Sequence, residues 1–377
     1  MSRTSSPNRR TLRIGIDGRE LEGRPTGVGR YLRSLLRQFA ENERHSFVVY
    51  ASSDVSLPLA SKGMAVKILA PAHSLAWEQR RLPAALKNDR IDVLLSPAYS
   101  CPLVTTTPRV TAIHDLSFFA RPEEFGFVHG LRRRLLARGS ATVSRGILVC
   151  SEFTKAQVLR YLGPKAFKKT DVVLLGADDD LPEAPSRADS RSALGLPSDS
   201  AYIITVGTVL KRRNVSTLVR AFGRLRERRP KLRLGIIGEN RSHPFEDLAA
   251  LSRALGCEAD VSVSGFVSDQ EVASHYAAAD VAVFLSEYEG FGLPALEALS
   301  RGVPTVIADR GSLNEMFALG AMVIEPDLAS VTDALVQILD DPEVGMDLKR
   351  RGLERAQAFS WERAAKQTLE ALESAAA

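Results

Sequence analysis

Two successive series of apolar, β-rich runs alternate with helical patterns, and this alternation restricts the fold more than any other feature of the chain. In the first half the runs occupy residues 12–17, 46–51, 65–69, 91–96, 109–113, 146–150 and 171–175. Most are continuous rather than alternating, the pattern of strands buried on both faces of a parallel sheet. Amphipathic helices lie between them. The clearest is 27–39, where Val28, Tyr31, Leu32, Leu35, Leu36 and Phe39 share one face and Arg30, Arg33 and Arg37 lie off it. Those arginines read most simply as a solvated face. Residues 178–200 break the texture: Asp, Pro, Ser and Ala dominate, with Pro182, Pro185 and Pro197, as in a linker with a short helix. A second series follows at 202–206, 232–237, 261–264, 281–285 and 304–307. The expected class is α/β, with two doubly wound domains at 1–180 and 199–357 and a linker at 181–198. Residues 358–377 form a terminal helix with Trp361, Ala365, Thr368, Leu369 and Leu372 on one face; it packs either on its own domain or back on the first. Open parallel sheets bind ligands beyond the carboxyl ends of their strands, so the cleft between the domains is the expected site.

Composition narrows the classes. A chain of 377 residues suits two cores, and 45% hydrophobic with 25% charged residues is a soluble, globular balance. No run approaches the ~20 apolar residues of a membrane span. Residues 1–10 are polar and basic, unlike a secretory signal. Cys101, Cys150 and Cys257 are far apart and odd in number, which argues against a disulfide framework or zinc site and fits a reducing cytoplasm. The net charge is +5, with arginine clusters at 80–81 and at 132, 133, 134 and 138. Such clusters suit nucleic acid, anionic lipid or phosphorylated substrates. Aromatic residues are only 6% and no RNA or DNA motif accompanies the arginines, so nucleic acid is not an expected partner.

The sharpest segment is 286–302, which follows a strand and opens a helix. Pro294 suits the helix start and Gly302 its end. The Gly290-Phe291-Gly292 turn lets backbone N–H groups approach an anion, and the helix N-terminus favours negative charge. Glu289 and Glu297, eight residues apart, offer carboxylates that accept hydrogen bonds from sugar hydroxyls. The same features also occur in plain turns, and a carboxylate near a helix start also complements the dipole.

In the context Glu-Gly-Phe-Gly-Leu-Pro-x-Leu-Glu, this pair resembles the signature of retaining GT-B glycosyltransferases of family 4. The resemblance runs over nearly the whole chain. Residues 207–214 with Leu218, Ala221 and Phe222 resemble the family's phosphate-binding loop and helix, and 265–271 its base-binding segment. Residues 112–116 with Pro122 and Glu123 resemble its first-domain histidine motif. The segments 27–31 and 77–79 are similar to the mannosyltransferase-type branch. The resemblance implies a GT-B fold of two Rossmann-like domains and transfer of a hexosyl group from a nucleotide-diphosphate sugar, GDP-mannose first and UDP-sugars second; the alternatives are a non-catalytic nucleotide-sugar-binding protein or an epimerase of the same fold. The acceptor would be a glycan or lipid-linked molecule, met in the cytoplasm or at the inner membrane face; the region of Phe118, Phe119, Phe125 and 132–138 reads equally as a membrane contact or as a loop followed by an exposed basic helix. No cofactor and no metal are implied.

Its residue roles follow in the same way. Glu297 would bind the ribose hydroxyls, Glu289 the donor sugar, and His114 the donor sugar from the first domain. Gly27, Gly29 and the Gly290, Phe291, Gly292, Leu293 stretch would flank the diphosphate and sugar. Gly207, Arg212 and Arg213 would hold the diphosphate, and Phe266 and Val267 the base. Arg213 departs from the family, which has lysine there; arginine keeps the charge but presents a planar fork. His114 and Asp115 are adjacent and would point to opposite faces of a strand. Asp178, Asp179 and Asp180 read as a solvated turn, and Gly27-x-Gly29 alone is too weak to imply a dinucleotide.

Overall fold

The structure, a computed structural model, describes residues 10–23, 26–55, 63–70, 74–177 and 182–377. The Asp178–Asp180 run and part of the expected linker lie outside the described residues.

Among the described residues thirteen strands form two sheets, every pairing parallel. The first sheet contains β1 (Arg13–Asp17), β2 (Ser46–Ala51), β3 (Met64–Ile68), β4 (Val93–Ser96), β5 (Arg109–Ile113), β6 (Gly146–Val149) and β7 (Thr170–Val172), in the order β3-β2-β1-β4-β5-β6-β7. The second contains β8 (Tyr202–Val206), β9 (Arg233–Ile237), β10 (Val261–Ser264), β11 (Val281–Phe284), β12 (Thr305–Ala308) and β13 (Met322–Ile324), in the order β10-β9-β8-β11-β12-β13. Both orders reverse direction once, between β1 and β4 and between β8 and β11. These are the switch points at which doubly wound sheets open a crevice. The central strands are buried along nearly all their length, as their continuous apolar runs require, whereas the edge strand β3 exposes most of its length. Twelve of these strands overlap the runs in the sequence, β7 least, since it ends at Val172 rather than at 175. The thirteenth, β13, has three half-buried residues and no apolar run long enough to mark it.

Helices cover both sheets. The Gly27–Ala40 helix buries Tyr31, Leu32, Leu35, Leu36 and Phe39 against the first sheet, the expected stripe. The Trp361–Ala376 helix leaves the second sheet and lies against the Gly27–Ala40 helix and strands β4, β5 and β6. Tyr31 and Trp361 meet at 6.2 Å, and Arg145 donates to the Ala375 carbonyl at 2.8 Å. Glu373 accepts from Arg44 at 2.7 Å and pairs with His45 at 3.0 Å. The chain therefore crosses between the sheets twice, and the crossings touch: Ala177 N–H donates to the Phe359 carbonyl at 3.3 Å. Phe291, Phe317 and Phe359 pack with ring centroids 5.6–5.7 Å apart beside this crossing. The carboxyl ends of the two sheets consequently face one another across a seam.

Candidate active site

Every loop that reaches the seam follows the carboxyl end of a strand. From the first sheet come Gly27 and Gly29 after β1, His114 after β5, and Cys150 and Ser151 after β6. From the second come Gly207, Arg212 and Arg213 after β8, Phe266 and Val267 after β10, and Glu289 to Leu293 after β11.

The two lobes touch at Gly290. A Cβ there would lie 1.7 Å from the His114 carbonyl oxygen, so only glycine lets the backbones meet. The Gly290 carbonyl accepts from the Ser151 hydroxyl at 2.7 Å, with Cys150 Sγ and Thr154 Oγ1 each at 3.3 Å. Ser151 is also the N-cap of the Glu152–Leu162 helix, whose N–H groups at Glu152 and Phe153 donate to the Glu315 carboxylate at 2.8 and 2.7 Å. Glu315 thus places an anion from the second lobe at a helix N-terminus of the first, where the dipole favours it. Burial, with Asp115 nearby, pushes the Cys150 thiol well above its ordinary range, so it serves as a neutral donor.

Glu289 and Glu297 are held differently. Glu289 Oε1 accepts from Arg213 Nε at 2.8 Å and Ser286 Oγ at 3.0 Å, and Ser312 fixes its carbonyl at 2.7 Å. Arg213 reaches it because Gly207, at φ +116°, leaves room: a Cβ would meet Arg213 Nη1 at 2.1 Å. Glu297 lies in the second turn of the Leu293–Ser300 helix and is only 1% exposed. Its Oε2 accepts from Tyr276 at 2.9 Å, and its Oε1 accepts from Arg30 of the first lobe at 2.7 Å. Arg30 also donates to Asp269 at 2.7 Å. The solvated reading of Arg30 is therefore corrected: it lies off the apolar stripe because it bridges the seam. Burial, reinforced by Glu297, raises the Tyr276 phenol far above its ordinary range and keeps it a donor.

Arg212 donates to Glu124 of the first lobe at 2.7 Å, both side chains being buried. Burial works against its charge, but Glu289, Asp115 and Glu124 outweigh it and raise its pKa. Its Nε is buried without a hydrogen-bond partner among the described residues. Such an orphaned donor is the kind of group an absent acceptor would satisfy.

His114 packs edge-on to Tyr31 at 4.5 Å and donates Nε2–H to the Pro97 carbonyl at 2.8 Å. Burial pushes it below the ordinary histidine value despite that carbonyl and Asp115, so the ring is neutral, with Nδ1 as the unprotonated nitrogen. Glu78 and Gln79 brace residues 100–103, further along the loop that follows β4. Gln79 bonds the Cys101 carbonyl at 3.0 Å and the Leu103 N–H at 2.8 Å, while buried Glu78 accepts from Ser100 at 2.6 Å and Arg19 at 2.7 Å.

The remaining expected residues fall into place unevenly. Gly29 donates its N–H to the Thr26 N-cap at 2.9 Å and packs on the Glu20 carbonyl, whereas Gly27 is open. Phe291 turns its side chain into the aromatic cluster, leaving only its backbone for a ligand. Val267 is half-buried and Phe266 exposed. Asp115 folds back on Ser117 at 2.8 Å rather than pairing with His114. Phe118 is buried and Phe119 stacks on Tyr161, which corrects the expectation that they meet a membrane; the exposed apolar residues lie just beyond, at Phe127, Val128, Leu131 and Leu135.

Residues 186–355 match the family model for group 1 glycosyl transferases, and residues 25–181 match that of Glycosyltransferase Family 4. O-antigen chain mannosyltransferase B of Escherichia coli is 30% identical over 269 residues, which cover 70% of this chain and 69% of that enzyme. The chain belongs to the group 1 glycosyltransferases. A D-inositol 3-phosphate glycosyltransferase of Kineococcus radiotolerans is 36% identical over 206 residues, 50% of this chain, and the match spans about half, 47%, of that relative. Among solved structures, sucrose-phosphate synthase from Thermosynechococcus elongatus superimposes with a TM-score of 0.77 at 20% identity, over 96% of this chain and 98% of that one. Anabaena Alr3699/HepE in complex with UDP-glucose superimposes with 0.77 at 18% identity, over 96% and 100%. These likenesses establish the GT-B fold of the family.

Sequence reasoning missed Arg30, Tyr276, Asp269, Glu124, Ser151 and Ser286, and assigned no role to Ser312 or Glu315. Most act through a residue distant in sequence, so no spacing announces the partner; Ser286 is the exception, since it bonds Glu289 within the same motif.

The Gly290 contact makes a direct prediction. Gly290→Ala must separate the His114 carbonyl from the turn and lowers stability by about 1–3 kcal/mol, the usual cost of overpacking. Chemical denaturation reads the loss, and small-angle scattering reads a widened seam; unchanged values for both would contradict the contact.

Proposed function

We propose that this enzyme transfers a hexosyl group with retention of configuration from a nucleotide-diphosphate sugar, GDP-mannose before UDP-sugars, to a glycan or lipid-linked acceptor. The observation that carries the reading is the gathering at one seam of two carboxylates, Glu289 and Glu297, with the guanidiniums of Arg212 and Arg213. The mannosyltransferase relative supports the choice of donor.

In this reading Glu297 accepts the ribose hydroxyls and Phe266 and Val267 meet the base. The Gly290–Gly292 backbone and Arg213 receive the diphosphate, and the unpartnered Nε of Arg212 finds its acceptor there. Breaking the bond between the anomeric carbon and the phosphate oxygen sends the electron pair to the diphosphate, and fixed cations stabilise that developing charge. The acceptor oxygen bonds to the anomeric carbon from the face the diphosphate leaves and passes its proton to the departing oxygen. Neutral His114 and Glu289 accept hydroxyl hydrogens of the sugar and hold its reacting carbon in place.

The reading also places a lipid surface beside the first lobe. The Phe127–Val143 helix exposes Phe127 (77%), Val128 (73%), Leu131 and Leu135 (58%), with Arg132, Arg133 and Arg138 exposed on the same helix. Apolar anchors among arginines suit an anionic interface. No described helix is long and apolar enough to cross a membrane.

Two measurements test these statements. GDP-mannose at about a hundred times its Kd should stabilise the protein by about 2.7 kcal/mol, and UDP-glucose should do so less. Glu297→Ala should weaken binding about tenfold or more, since a hydrogen bond to a charged group is worth roughly 1.5–3 kcal/mol. No stabilisation by any nucleotide sugar or free nucleotide would refute the donor site. Vesicles containing phosphatidylglycerol should co-sediment the protein where neutral vesicles do not, and Phe127→Glu with Leu135→Glu should abolish this. Equal sedimentation of the double variant would refute the membrane face.

A further inference from the structure

Glu297 is buried and its carboxylate is occupied on both oxygens. Tyr276, itself 1% exposed, takes Oε2 from the protein interior. Arg30 takes Oε1 with Nη1 at 2.7 Å, while its Nη2 holds Asp269 at 2.7 Å. The Arg30 side chain is the more exposed of the two, 21% against 1% for Glu297, so it covers the carboxylate on the side nearer solvent. A ribose diol, like a guanidinium, presents two donors to a carboxylate. Arg30 belongs to the first turn of the Gly27–Ala40 helix, so this bond spans the seam. We infer that Arg30 is a positioning residue that stands in for the nucleotide's ribose on Glu297 in the ligand-free enzyme, and that donor binding exchanges it.

The inference rests on the assignment of Glu297 to the ribose. It adds that the first lobe competes for that carboxylate and thereby sets nucleotide affinity. Two physical consequences follow. Removing Arg30 leaves a buried carboxylate uncompensated, which raises the free energy of the empty protein. A ligand that restores the missing partner then binds more tightly, because it no longer displaces a native one. Asp269, being 33% exposed, keeps contact with water when Arg30 leaves and adds little to the cost.

The experiment measures binding of GDP and of 2′,3′-dideoxy-GDP, with UDP and its dideoxy form in parallel, to wild type, Arg30→Gln and Arg30→Lys by calorimetry. Arg30→Gln should bind the ribonucleotide about tenfold more tightly than wild type, the scale of one charge-assisted hydrogen bond. The dideoxy forms should show no such gain, because they lack the hydroxyls that replace Arg30. Arg30→Lys, which keeps one charged donor, should lie between. Ligand-free Arg30→Gln should melt below wild type, and ribonucleotide should close the difference. A merely structural role for Arg30 would change the ribose and dideoxy forms alike. Equal or weaker ribonucleotide binding by Arg30→Gln overturns the exchange while leaving the donor site intact. Wild type that binds neither nucleotide overturns the donor site and the exchange with it. A separate check needs no nucleotide: the melting losses of Arg30→Gln and Glu297→Gln should fall short of additive when combined, and strict additivity would overturn the cross-seam bond.

Discussion

The bare backbone of Gly290 against the His114 carbonyl is the contact on which the arrangement depends. It brings the turn after β11 onto the ends of β5 and β6, and three side-chain donors converge on the Gly290 carbonyl to hold it there. Once that distance is set, the rest of the seam follows in polar pairs: Glu315 on a helix N-terminus, Arg212 on Glu124, and Arg30 on Glu297 and Asp269. Apolar contact between the lobes is made where Phe153 meets Tyr288 and, beside the seam, where the chain crosses at Ala177, Phe359 and Trp361. A polar seam beside an apolar crossing can exchange its partners for ligand or water without exposing a core.

Much of the fold was legible because parallel sheets impose long apolar runs. The central strands are recognisable to within a residue or two, and the Gly27–Ala40 helix declares its buried face. β13 escaped because an edge strand of three half-buried residues has no run to show. The site was legible to the extent that one segment carries it, as in Glu289 to Glu297. It was illegible wherever a residue's partner comes from the other lobe. Arg30 differs from a solvated arginine only in what faces it, 267 residues away. Phe291 shows the converse: it belongs to the motif, yet its ring serves the core and only its backbone can serve a ligand.

Electrostatics gives the seam its character. Within it, burial keeps His114 neutral, keeps Cys150 and Tyr276 protonated, and leaves the charges of Arg30, Arg212 and Arg213 matched by carboxylates. An incoming diphosphate would bring negative charge to cations that are already fixed in place, so the enzyme would reorganise little at the moment the glycosyl bond breaks. The same pairing means that the ligand competes with protein carboxylates for those cations.

The exchange at the seam is decided by the structure of the enzyme with an unreactive nucleotide-sugar analogue. The ribose hydroxyls should lie on Glu297, with Arg30 displaced from it, and the diphosphate against the Gly290–Gly292 backbone and Arg213. A donor bound away from the seam, or one seated there with Glu297 still paired to Arg30, would contradict the exchange.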